Sequence, residues 1–197
     1  MLDGMETLEQ RLERVREKLS RLDRPKIFGA SSHGCVLGPP LAEAQVATFE
    51  REHGITLPGA YRGFLTTIGH GGPGQFGGAG PFYGLTPLHH WDRILMEETK
   101  KPLSQPFPTV PGADYGKGED WFERAGVDED GEWYPGAIAL ADQGCGDMVA
   151  LVVTGPARGR VAYLFWGRAP MFTADADFLA WYERWLDAAL SGAEHWY

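Results

Sequence analysis

Four stretches of this chain carry residue types that can do chemistry, and spacing decides each of them. His89, His90 and Asp92 have the donor atoms of a metal site. Neighbouring residues on a helix, however, point about 100° apart, so the two imidazoles cannot close on one ion as an i, i+4 pair does. Zinc would need remote ligands such as His70 or His33. The glycine-rich run 69–80 has the composition of a phosphate cradle but lacks the closing Gly-Lys-Ser/Thr that meets phosphate and Mg²⁺. A helical pattern leads into it, where a dinucleotide fingerprint requires a strand. It reads as a tight helix-to-strand connection.

Cys145 lies between two glycines, and Asp147 beside it opposes formation of a thiolate. It is expected to be a small residue leading from a turn into the core. The run Asp128-Glu129-Asp130-Gly131-Glu132 lacks the ligand order of a calcium loop and its closing glutamate, so it reads as a solvated acidic turn. No pair of carboxylates stands out for glycoside hydrolysis. The expectation is a chain without catalytic residues, cofactor or metal.

Two tryptophans sit among the carboxylates. Glu119 and Asp120 precede Trp121, and Asp128, Glu129, Asp130 and Glu132 precede Trp133. An aromatic anchor inside a charged rim is the composition of a protein interface, and these eight residues are the candidate partner-binding set. The competing reading is an insertion packing onto its own domain. Charge sharpens the choice of partner. The net charge is −9, and residues 112–147 hold ten acidic side chains against Lys117 and Arg124. Nucleic-acid binding relies on lysine and arginine neutralising phosphates, so nucleic acid is excluded as a partner and a cationic protein is favoured.

The elements that position these residues follow from periodicity. Leu8, Leu12, Val15, Leu19 and Leu22 make a short heptad seam in the charged segment 1–26. Two heptads are too few for a coiled coil, so the helix is expected on the surface of the domain, with a monomer or weak dimer as the oligomeric state. Val46, Phe49 and His53 share one helical face. After Gly54 and Pro58, Tyr61, Phe64, Leu65 and Ile68 share another. Residues 88–100 have helical spacing, and four prolines between 102 and 111 enforce an extended linker. Residues 121–125 form a single helical turn. Residues 137–141, 148–153 and 161–165 read as short buried strands, the last two joined as an antiparallel hairpin. A final helix over 175–190 carries Phe178, Trp181, Tyr182 and Trp185, with Thr173 or Asp175 as its cap.

With 43% apolar and 12% aromatic residues the chain can bury a real core. No apolar run approaches the ~20 residues of a membrane span, and the charged N-terminus lacks the apolar region of a signal peptide. Cytoplasmic localisation, no membrane association and free thiols at Cys35 and Cys145 are expected.

The order of these elements resembles the SMI1/KNR4 family of the SUKH superfamily. The helical hairpin ending in Gly71-Gly72 comes first. Phe82-Tyr83-Gly84-Leu85 follows as a first core strand, then the two strands after Gly144-Cys145-Gly146-Asp147 and Gly159-Arg160-Val161, and the aromatic last helix. The resemblance implies an α+β fold: a mainly antiparallel sheet covered by the helical hairpin and the C-terminal helix. Residues 27–197 then form one domain with a long acidic and proline-rich insertion at about 86–135. It also implies a protein-binding role, most directly an immunity protein that neutralises a polymorphic toxin by stoichiometric binding; the acidic charge, apart from the resemblance, makes a basic toxin domain the fitting partner. The alternatives are a cellular scaffold or regulatory adaptor, and a small metal-dependent hydrolase with its site near His70, His89 and His90.

Overall fold

The computed structural model describes residues 6–23, 25–94, 103–115, 120–125, 134–165 and 168–196. Helices α1 (Leu8–Ser20), α2 (Ala30–His33), α3 (Glu43–His53) and α4 (Gly59–Thr67) precede a 3-10 helix at Leu88–Ile94 and the short α5 (Trp121–Ala125). Strands β1 (Ala137–Gly144), β2 (Asp147–Val152), β3 (Val161–Leu164) and β4 (Met171–Phe172) follow, and α6 (Phe178–Ser191) closes the fold. The sheet is an antiparallel meander in the order β1-β2-β3-β4. The fold is therefore α+β, with the expected hairpin between β2 and β3.

Each face of the sheet has its own core. Ile138, Leu140, Ala141, Val149, Leu151 and Val161 join the helical core of Tyr61, Phe64, Leu65, Phe178, Trp181, Tyr182 and Trp185. Rings interlock there edge to face: Tyr61–Phe178 and Phe64–Tyr182 at 4.8 Å, Phe64–Phe178 at 5.1 Å. A bulge between Ala139 and Ala141 breaks the strict alternation, so Leu140 and Ala141 both serve this side.

The other face is lined by Ala137, Ala139, Ala150 and Ala162, with Met148, Val152 and Leu164. Small side chains leave room for flat rings. Trp121, Tyr134 and Phe107 fill it, Trp121 stacking on Tyr134 at 6.2 Å and 6°, Tyr134 on Phe107 at 5.8 Å and 27°. The consecutive apolar residues of the strands do mean burial on both faces. The helical hairpin and α6 cover one of them; α5, with Phe107 and Tyr134, covers the other.

Several local expectations need correction. The segment around Phe82 is no strand: Leu85 makes only isolated bridges to Gly78 and Ala141, because Phe82 takes a positive φ of 55° and turns the chain. The helix expected over 88–100 is described as far as Ile94, as a 3-10 helix with non-helical backbone at His90; the remainder lies outside the described residues. Asp177 caps α6, its side chain accepting from the Ala180 amide at 3.0 Å, whereas Asp175 pairs with Arg184. Cys145 stays exposed at the tip of the β1–β2 turn, with φ 56° followed by 87° at Gly146. Two successive positive φ values make a type I′ hairpin turn, which points the thiol outward instead of into the core.

Helix α1 packs against α4 and α6 and adds to the main core. Leu12 and Val15 are buried, whereas Leu8 remains 39% exposed.

Candidate protein-binding surface

The glycine-rich connection after α4 is a backbone joint. A methyl group at Gly78 would overlap the Gly71 carbonyl, so only glycine fits. Gly78 and Leu85 exchange amide–carbonyl bonds of 2.9 and 2.8 Å, the Ala79 amide donates to Val36, and the Gly38 amide to Gly71. Tyr182 reaches in from α6 and donates its hydroxyl to the Ala79 carbonyl at 2.7 Å. These bonds hold the loops together and explain the glycines without a phosphate.

The same joint brings together aromatic side chains from three segments. Phe28, directly before Gly29, meets Tyr83 edge-on at 5.4 Å, and Tyr83 meets Phe76 at 5.4 Å. Phe28 is 37% and Val36 50% exposed, and Phe76 and Tyr83 are half-buried. Beside them an open cleft of about 270 Å³ is lined by Gln75, Phe76, Arg93, Asp142 and Met148. Arg93 is held in place by the Phe76 carbonyl at 2.8 Å, and Asp142 by the Gly144 amide at 2.7 Å. Rigid aromatic groups next to pre-positioned polar ones are the raw material of an interface. Sequence reasoning missed this grouping because its members come from three separate segments. The one available signal was an aromatic residue adjoining glycine each time: Phe28-Gly29, Phe76-Gly77 and Tyr83-Gly84.

The sequence-predicted partner set fares unevenly. Asp120 is exposed at the start of α5, but Trp121 is wholly buried in the second core. An indole packed on alanines and Tyr134 presents no surface to a partner, so Trp121 holds α5 onto the sheet. Glu119, Asp128, Glu129, Asp130, Glu132 and Trp133 lie outside the described residues.

Three of the histidines, His70, His89 and His90, lie close together. His89 and His90 are exposed and adjoin at 4.2 Å, while His70 is half-buried with its ring 6.4 Å from that of His89. Burial and the neighbouring His89 lower the pKa of both His70 and His90. Among the described residues no group of three or more His, Cys, Asp or Glu side chains is placed to hold a metal ion. His33 is buried under Trp185, where its Nδ1 accepts from the Cys35 amide at 3.0 Å. Burial lowers its pKa to about 4, against a smaller opposing contribution from the Gly80 backbone, so it is neutral at pH 7.

No helix among the described residues is long and apolar enough to cross a membrane. Helical hairpin, glycine joint, antiparallel meander and aromatic closing helix together define an α+β domain. The SMI1/KNR4 family (SUKH-1) model matches residues 40–184, well over half of the chain, and the protein belongs to that family. No curated protein and no solved structure gives a match.

Proposed function

We propose that this protein is a non-enzymatic binding domain, an immunity protein that neutralises a polymorphic toxin by occupying its surface in a stoichiometric complex. Family membership over residues 40–184 is the observation that carries the reading. The partly exposed run Phe28–Tyr83–Phe76, backed by a glycine joint that limits movement, supports it physically. Rigid aromatics lose little conformational freedom when they bind. No bond is made or broken in this mechanism: the complex covers the toxin and dissociates slowly.

The acidic segment supplies the second ingredient. Glu119, Asp120, Asp128, Glu129, Asp130 and Glu132 raise the encounter rate with a cationic domain, and Trp133 serves as an anchor within them. A nuclease toxin fits this charge, since its substrate channel must be basic. The test is co-expression with the product of a neighbouring toxin-like reading frame. A complex that survives purification and removes toxicity supports the reading; a toxin that stays active beside excess protein overturns it.

A further inference from the structure

The β1–β2 turn is built around Gly144, and a carboxylate and an aromatic ring converge on it. Strand β1 has a bulge between Asp142 and Gly144, which pair with Met148 and Asp147; a bulge re-aims the side chains beside it. The Gly144 amide donates to Asp142 Oδ1 at 2.7 Å and fixes the carboxylate. The Asp142 backbone carbonyl accepts from the Tyr83 amide at 3.2 Å. The Tyr83 ring lies against Gly144 itself: a methyl group there would stand 3.1 Å from Cε2, and the φ of 95° already favours glycine.

The carboxylate has acceptor capacity to spare. Among the described residues Asp142 is in no ion pair, and the Gly144 amide is the one hydrogen-bond donor to its side chain. An ionised carboxylate accepts about four such bonds. The remaining capacity belongs to the open cleft of about 270 Å³ that Asp142 lines with Gln75, Phe76, Arg93 and Met148. The cation of the cleft is already engaged, because Arg93 donates to the carbonyls of Phe76 at 2.8 Å and Gln75 at 3.4 Å. The Phe76 ring stands 5.4 Å from that of Tyr83 and tilted 44° to it. Aromatic faces attract cations, and Met148 offers a polarizable apolar wall.

We infer that this cleft receives an arginine side chain of the protein partner, its guanidinium on Asp142 and against the rings of Phe76 and Tyr83, its methylenes along Met148. Arginine suits the cleft better than lysine, since a planar guanidinium can stack on a ring while its edge meets a carboxylate. The net charge of −9 favours a partner rich in such residues. The inference rests on the protein-binding reading and names the contact through which it acts.

N-acetyl-arginine amide is the probe, titrated into the isotope-labelled full-length protein and followed by backbone amide shifts. Saturable shifts are expected at Tyr83 and Gly144, with a dissociation constant on the order of 10 mM. Asp142→Asn keeps an acceptor for the Gly144 amide and removes the charge, so it should weaken binding at least about fivefold. The neutral citrulline analogue should be weaker by a similar factor, and Arg93→Gln, which removes a like charge, should keep or tighten arginine binding. No saturable shift, equal binding of citrulline, or arginine binding unchanged in Asp142→Asn overturns the proposal. Preferred binding of N-acetyl-glutamate amide, lost in Arg93→Gln, would make the cleft an anion site and overturns it too. A toxin neutralised equally well by Asp142→Asn removes the arginine contact alone and leaves the immunity function standing. Arginine bound at Tyr83 and Gly144 while the toxin stays active supports the cleft and removes that function.

Discussion

Arg11 holds Asp177 through both carboxylate oxygens, and Asp177 simultaneously caps α6 by accepting from the Ala180 amide. One carboxylate thus fixes the start of the C-terminal helix and docks the N-terminal one, across 166 residues of sequence. Asp177→Ala should cost about 1–2 kcal/mol through loss of the cap. Arg11→Ala should cost less, about 1 kcal/mol, because the part-buried pair, 23% and 25% exposed, still meets water. Urea midpoints of the two variants check the order; equal losses would make the ion pair, and not the cap, the dominant contribution.

Acid should undo the same seam. The Arg14 hydrogen bond, assisted by Lys18 and opposed by burial, lowers the pKa of Glu183 to about 2. A carboxylate depressed in the folded state stabilises above its unfolded pKa and loses that contribution as pH falls through the folded value. Stability from Glu183 is therefore complete above about pH 4.5 and lost between there and about pH 2. Glu183→Gln should flatten the stability profile in that window, measured by denaturant midpoints against pH.

His33 acts in a different window. Its folded pKa of about 4 lies below the ordinary 6.5, so the unfolded chain binds the proton first. Stability should begin to fall as pH drops below about 6.5 and level off near 4, by about 3 kcal/mol in all. His33→Gln should remove this slope and leave that of Glu183 in place. An unchanged slope from pH 6.5 to 4 would show that His33 is not the buried base.

Both cores should be costly to empty. Phe64→Ala and Trp121→Ala each remove a fully buried ring, and each is expected to destabilise by ~3–5 kcal/mol. A negligible change for Trp121 would detach α5 from the sheet. The β1–β2 turn supplies a contrast. Gly146→Ala should cost about 1 kcal/mol or more because φ is 87° there. Cys145→Asn should be neutral or stabilising, since Asn-Gly is the preferred type I′ pair. Thermal melts of the two variants give the comparison directly.

How far the sequence reached can be seen in particular residues. Tyr61, Phe64 and Leu65, or Phe178, Trp181, Tyr182 and Trp185, share helical faces, and period alone places them in the core. Trp121 was different: its neighbours are acidic, and the alanines of β1 to β3 that receive it lie far along the chain. Local composition spoke for an interface while long-range packing decided otherwise. Phe28, Phe76 and Tyr83 were similarly illegible, because the glycine joint that gathers them is a matter of backbone approach. Asp177 lost to Asp175 as the expected cap because both precede the apolar stripe, and only the fold shows Asp177 bonded to the Ala180 amide while Asp175 is held by Arg184.

The central claim is stoichiometric occlusion, and a titration of toxin activity measures it most directly. Purified protein is added in steps to the product of a neighbouring toxin-like reading frame, with Phe76→Ala and Tyr83→Ala variants in parallel. The account predicts activity falling linearly to zero at one equivalent, with affinity reduced by ~2 kcal/mol in a variant that loses an anchor. Inactivation complete far below one equivalent would mean turnover and hence catalysis; no inactivation at any ratio would contradict the immunity function outright.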